Sequence, residues 1–189
     1  MQYRQLFFAA LLLPLTTVFI RADALDDTDD FLIRGLPVTI ETPGVSAREY
    51  SRYQAAIIKF RENSCLLPAQ SVDAHHSKLD WGEINNLLEL QVCIFFSAKN
   101  LRDLEEVGEL LTESGFNNVR QISREPNSPA NFIPGSANSV SATFNIQDLP
   151  ASYGGFLRHE TWAAYGMSIG IYANADGDII HVHLIYLVN

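Results

Sequence analysis

Two stretches near the C-terminal end constrain the fold most. They are Tyr165–Ala173 and Ile179–Val188, joined by Asn174-Ala175-Asp176-Gly177-Asp178. Both are rich in β-branched and aromatic residues, and Asp-Gly between two such runs is a strong signal for a type I′ hairpin. With Asp176 and Gly177 as the loop, positions whose numbers sum to 353 face each other. Met167, Ile169, Ile171 and Ala173 then oppose Tyr186, Leu184, Val182 and Ile180, and all eight share one face. A slip of one residue would turn either set away from the core, so the agreement of both strands supports this register. The same loop superficially resembles a calcium loop, but the remaining ligand positions are absent and a hairpin turn explains it.

The second face of this hairpin is different in kind. Tyr172 falls opposite His181, Gly170 opposite His183, and Ser168 opposite Ile185. His181 and His183 are two residues apart, so both rings point the same way. That pair is the candidate metal site, with zinc as the candidate ion. Its third ligand would come from His75, His76 or the His159-Glu160 pair. The alternative is that both rings pack against a neighbouring element. Gly166, Ser168 and Gly170 leave room for something to approach closely, a helix or a ligand. His159 and Glu160, with Arg158 to hold an anion, are a second candidate for acid–base chemistry.

The N-terminus reads as a signal peptide. Arg4 precedes a run of fifteen uncharged residues, Leu6–Ile20, and Ala22-Asp23-Ala24 supplies small residues for cleavage after Ala24. An uncleaved anchor is the alternative, yet fifteen residues fall short of the roughly 20 that a spanning helix needs. The whole chain has 189 residues and a formal charge of −9. Removing 24 residues that carry a net +1 leaves a single domain, 25–189, of 165 residues at −10. Such a balance argues against nucleic-acid binding, which needs a basic face to release counterions from phosphate. An apolar content of 47% excludes disorder as the dominant state. The new N-terminus, Leu25-Asp26-Asp27-Thr28-Asp29-Asp30, should be solvated.

Two cysteines, Cys65 and Cys93, remain in an exported chain. An even count in an oxidising compartment implies one disulfide, and their spacing matches no zinc pattern. A catalytic Cys–His pair is the alternative.

Between these ends the periodicities imply alternating strands and helices. Residues 31–41 read as one strand, split or pushed to an edge by Pro37. Ser46 and Glu49 form a capping box, stapled by Val45 and Tyr50, for a helix ending near Asn63. Asp80 and Glu83 form a second box, stapled by Leu79 and Ile84, for a helix ending at Glu89 or Leu90. Val92–Phe96 lacks alternation and suits a strand covered on both faces. A third helix begins near Leu101, capped by Asn100 or Ser97, and ends at Gly115. With a strand over Asn117–Ser123 this makes a right-handed β-α-β unit. Residues 124–138 form a long loop, and Ser139–Ile146 alternates as a half-buried strand.

The expected fold is α+β: a mixed, mainly antiparallel sheet of about five or six strands, two or three helices on one face, and a C-terminal β-hairpin. No stretch carries a signature specific enough to name a family. Neither H-E-x-x-H, a P-loop nor G-x-G-x-x-G occurs, and Gly166-Met167-Ser168-Ile169-Gly170 falls inside the strand 165–173 and not on a strand-to-helix nucleophile elbow. Export, acidity and the disulfide point to a secreted or periplasmic protein-binding module, such as an inhibitor, an immunity-type factor or a component of a surface assembly. Its partner would be a basic protein, contacted through the acidic surface and the loops 66–79 and 124–138. The alternative is a small exported hydrolase using the histidines, with zinc as its cofactor.

Overall fold

The computed structural model describes residues 31–62, 65–67, 78–123, 125, 133–146 and 164–188. The expected signal peptide, the acidic segment 25–30, His75, His76 and Arg158-His159-Glu160 lie outside them. The described residues run β1 (Leu32–Ile33), β2 (Leu36–Pro37), α1 (Ala47–Glu62), β3 (Leu66–Leu67), β4 (Lys78–Leu79) and α2 (Leu87–Lys99). Then follow α3 (Leu104–Glu113), β5 (Asn117–Ser123), β6 (Asn138–Asn145), β7 (Ala164–Ala173) and β8 (Ile179–Val188). This is an α+β fold ending in a β-hairpin, β7–β8.

Strands β5-β6-β7-β8 make one antiparallel sheet in that order. Alternation divides it into two faces. Val140, Ala142, Phe144, Met167, Ile169, Ile171 and Val182 are buried on the inner face. In β7–β8 the register that sums to 353 holds from Gly166 to Tyr172 and then shifts. Ala173 opposes Ile179 rather than Ile180, and Ile179 is the buried residue. The loop is the reason. Gly177 alone has positive φ, at 94°, so the turn is not type I′. Asn174 N–H bonds Asp178 O at 2.9 Å, and the Asn174 side-chain oxygen accepts from the N–H groups of Asp176 and Asp178. This is a three-residue loop with a glycine bulge, and the extra residue is absorbed at Ile180.

The largest departure from the sequence expectation is α2. The expected helix 80–90 and strand 92–96 are replaced by one helix, Leu87–Lys99. Its box is Asn86-x-x-Glu89: Asn86 Oδ1 accepts from Glu89 N–H at 3.0 Å, and Asn86 Nδ2 donates to Glu89 Oε1 at 3.0 Å. Asp80 instead closes a turn, accepting from Gly82 N–H through its side chain and from Glu83 N–H through its carbonyl. Leu90, Val92, Cys93, Ile94, Phe95 and Ala98 are buried, because α2 lies between α1 and the sheet at β8. A helix enclosed in this way has no polar stripe, so its apolar run mimics a covered strand. With no strand there, no β-α-β unit forms.

Helix α1 follows its signals. Glu49 N–H donates to Ser46 Oγ at 3.2 Å, and Ser46 N–H donates to Glu49 Oε2 at 2.9 Å. The Cys65–Cys93 disulfide ties the chain just beyond α1 to the middle of α2, with a Cα–Cα distance of 5.9 Å. Lys59 adds an ion pair to Glu89 at 2.9 Å between the same helices.

Helix α3 covers β5 and β6. Its cap is Asp103, which accepts from the N–H groups of Glu105 and Glu106, while Asn100 caps the C-terminus of α2. Gly108 faces β5, where a Cβ would sit in ordinary contact with Val119 Cγ1, at 3.4 Å. Gly115 ends the helix region at φ 92°, as its position implies.

Segment 31–41 is not one strand. Arg34 and Gly35 both have positive φ, 55° and 77°, and turn the chain between Ile33 and Leu36. That is the two-residue primed turn expected at the other end of the chain. Phe31 anchors this hairpin, its ring 5.4 Å from Tyr53 and 4.9 Å from Phe95.

Candidate functional site

The outer face of the sheet carries the residues that alternation turns away from the core. Register places Arg120, Ser141, Gly170 and His183 in one row across the four strands. Ile122, Ser139, Tyr172 and His181 form the next row. The expected pairing of Tyr172 with His181 and of Gly170 with His183 is therefore present. A Cβ on Gly170 would come within 2.9–3.2 Å of the tip of the Tyr172 ring. The space above this glycine is thus taken by a side chain of the same strand.

His181 is used structurally. Its Nδ1 accepts the Arg34 backbone N–H at 3.1 Å, and Gly35 N–H donates to Ile180 O at 2.9 Å. The primed turn therefore docks two adjacent donors onto β8, one of them at the bulged residue. His181 is 5% exposed. Its pKa is pushed down to about 4 by burial, then by His183 and Arg34. An accepting Nδ1 places the ring proton on Nε2. The His183 ring centroid is 5.9 Å away, and its pKa is also lowered, by burial and then by Arg34.

A metal ion shared by the two rings would have to use Nε2 of His181, because Nδ1 is engaged. Among the described residues no group of three His, Cys, Asp or Glu side chains converges on a point where an ion could sit. His75, His76, His159 and Glu160 lie outside these residues.

Charge is segregated. The outer-face residues from Asn118 to Leu187 include no carboxylate among those described, and Arg120 lies among them. Helix α3 is the opposite. Glu105, Glu109 and Glu113 follow i, i+4, i+8 spacing, and the helix contains no basic residue. Glu105 and Glu113 are exposed and Glu109 is half-buried. Glu105 sits in the first turn, where the helix dipole favours a carboxylate. Glu113 sits in the last turn, where it does not. Like charges four residues apart cost a further few tenths of a kcal/mol per pair. Glu106, pointing elsewhere, is paired with Arg102 and held below its ordinary pKa by it.

A separate groove of about 420 Å³ opens where the β7–β8 loop meets the end of α2. Its floor includes Phe95 and Ile179, and its rim carries Lys99, Arg102, Asp176 and Asp178. Of the two expected contact loops, only the ends are described. Leu66–Leu67 pairs with Lys78–Leu79, and Ala137 N–H is fixed to Ala173 O at 2.9 Å. The middles of both loops lie outside the described residues.

Sequence reading missed the acidic stripe of α3, the docking role of Arg34 and the place of Arg120. The first has a legible signal in glutamates at every fourth residue. The second was signalled by Arg-Gly inside an apolar run. The third needed the sheet order. Comparison with protein-family models, with curated proteins and with solved structures found no match.

Proposed function

We propose that this chain is an exported protein-binding module whose helix α3 presents an acidic contact surface to a basic partner protein. The observation that carries the reading is the stripe Glu105, Glu109, Glu113 on a helix with no basic residue. Helix stability alone would favour lysine in place of Glu113 and would avoid the like-charge spacing. A chain of net charge −9 adds long-range attraction for such a partner and speeds encounter. The signal-like N-terminus and the Cys65–Cys93 disulfide support a secreted or periplasmic location. No helix among the described residues is long and apolar enough to cross a membrane. Loops 66–79 and 124–138 are proposed as flanking contacts.

The test is affinity capture from the native compartment with wild type and with Glu105→Lys/Glu113→Lys. A basic protein retained by wild type, released as salt rises and lost in the double variant supports the reading. Equal retention by both forms refutes it. No observation among the described residues favours the histidine hydrolase reading over this one.

A further inference from the structure

A cavity of about 310 Å³ lies on the outer sheet face, away from α3. It is lined by Asn118, Arg120, Ser141, Ala142, Thr143 and Ser168. This volume is at the low end for small-ligand clefts, about 300–1,000 Å³. The lining combines a guanidinium with three hydroxyls and an amide. Arg120 makes no ion pair among the described residues, and neither Ser141 nor Ser168 has a side-chain hydrogen bond there. Thr143 and Asn118 are already fixed in place. Asn118 Nδ2 donates to Thr143 Oγ1 at 3.0 Å, and Thr143 Oγ1 donates to Asn117 O at 3.3 Å.

Each group limits the occupant. The guanidinium fork matches the oxygens of a carboxylate or sulfate. Hydroxyls and an amide both donate and accept, which suits several ligand hydroxyls on one small frame. The face carries no described carboxylate, so an anion meets attraction without a compensating repulsion, although the chain as a whole is acidic. Ser141 is paired across the sheet with Gly170, over which the Tyr172 ring leans.

We infer that this cavity binds an anionic saccharide, with its carboxylate or sulfate on Arg120 and its hydroxyls on Ser141, Thr143, Ser168 and Asn118. The site shares no residue with the α3 surface, so the two fail separately.

The purified protein is titrated with glucuronic acid, galactose 6-sulfate, glucose and sodium sulfate in turn, followed by calorimetry and by backbone amide shifts. At least one charged sugar should bind tenfold or more tightly than glucose or sulfate. The shifts should fall on 118–120, 141–143 and 168. Arg120→Gln should weaken that sugar by roughly tenfold or more, the loss expected for a charged bidentate contact. Ser141→Ala should weaken it severalfold. Arg120 is exposed and unpaired among the described residues, so its variant should keep the wild-type melting temperature. The inference is overturned if neither charged sugar binds, if sulfate alone binds as tightly, or if Arg120→Gln leaves affinity unchanged.

Discussion

Acidification should strain the contact between the N-terminal hairpin and β8 through a single ring. The folded-state pKa of His181 is about 4 against an ordinary 6.5. Between those values the unfolded chain binds a proton that the folded chain refuses, so stability falls as the pH falls through this window. The penalty is absent above about pH 6.5 and complete below about 4. At about 1.4 kcal/mol per pKa unit it reaches about 3 kcal/mol. No large discount for solvent applies, because His181 is 5% exposed. Geometry gives the same sign: a protonated Nδ1 cannot accept the Arg34 N–H that it holds at 3.1 Å. Carboxylates such as Glu49, held below its ordinary 4.5 by Ser46, also lose stability in acid, and they do so in wild type and variant alike. His181→Asn isolates the histidine, because an amide oxygen replaces Nδ1 as acceptor and does not titrate. Urea unfolding of both proteins is measured from pH 7.5 to pH 4. Wild type should lose about 3 kcal/mol more than the variant across that range. Parallel curves would show that His181 is not held neutral by this contact.

Other consequences follow from single contacts. Replacing Cys65 and Cys93 by Ser opens a loop of 28 residues and should cost about 3–4 kcal/mol in chemical unfolding. Gly166→Ala drives a Cβ to 2.8 Å from the Phe144 carbonyl oxygen and should lower stability by about 1–3 kcal/mol. Gly170→Ala meets only the movable tip of Tyr172, so it should cost less than about 1 kcal/mol and shift the Tyr172 ring resonances. Burial, then Glu49, pushes the Tyr53 pKa up to about 12, so one tyrosine should ionise late in a spectrophotometric titration. Tyr53→Phe should remove that late step and cost about 1 kcal/mol by orphaning Gln91 Oε1, which accepts from it at 3.1 Å.

What the sequence revealed depended on exposure. Helix α1 and strands β6, β7 and β8 each have one wet side, so their apolar period is visible and their places were readable. Helix α2 has no wet side over Val92–Phe96, and its period vanished with its polar stripe. The competing Asp80-x-x-Glu83 box then drew the start of the helix six residues too early, while Asn86-x-x-Glu89 was passed over. The turn types were exchanged. Asp-Gly, the stronger signal, became a bulged loop because the Asn174 side chain ties the loop's own N–H groups. Arg-Gly became the primed turn because β8 offers acceptors to both of its donors. Such tertiary rewards leave no trace in local spacing. The histidine pair was legible as a pair on one face, since period two fixes that. The partner of His181 was not, because Arg34 is 147 residues away in sequence.

The most direct test of the acidic surface is a photo-crosslinker at Thr112, an exposed residue in the last turn of α3 beside Glu113. A matched site at Ser139 on the outer sheet face is the control, and both are irradiated in the native compartment. A basic protein should crosslink from Thr112, lose the adduct when Glu105 and Glu113 become Lys, and give no adduct from Ser139. An adduct from Ser139 alone, or one from Thr112 indifferent to the charge reversal, would contradict the proposed role of α3.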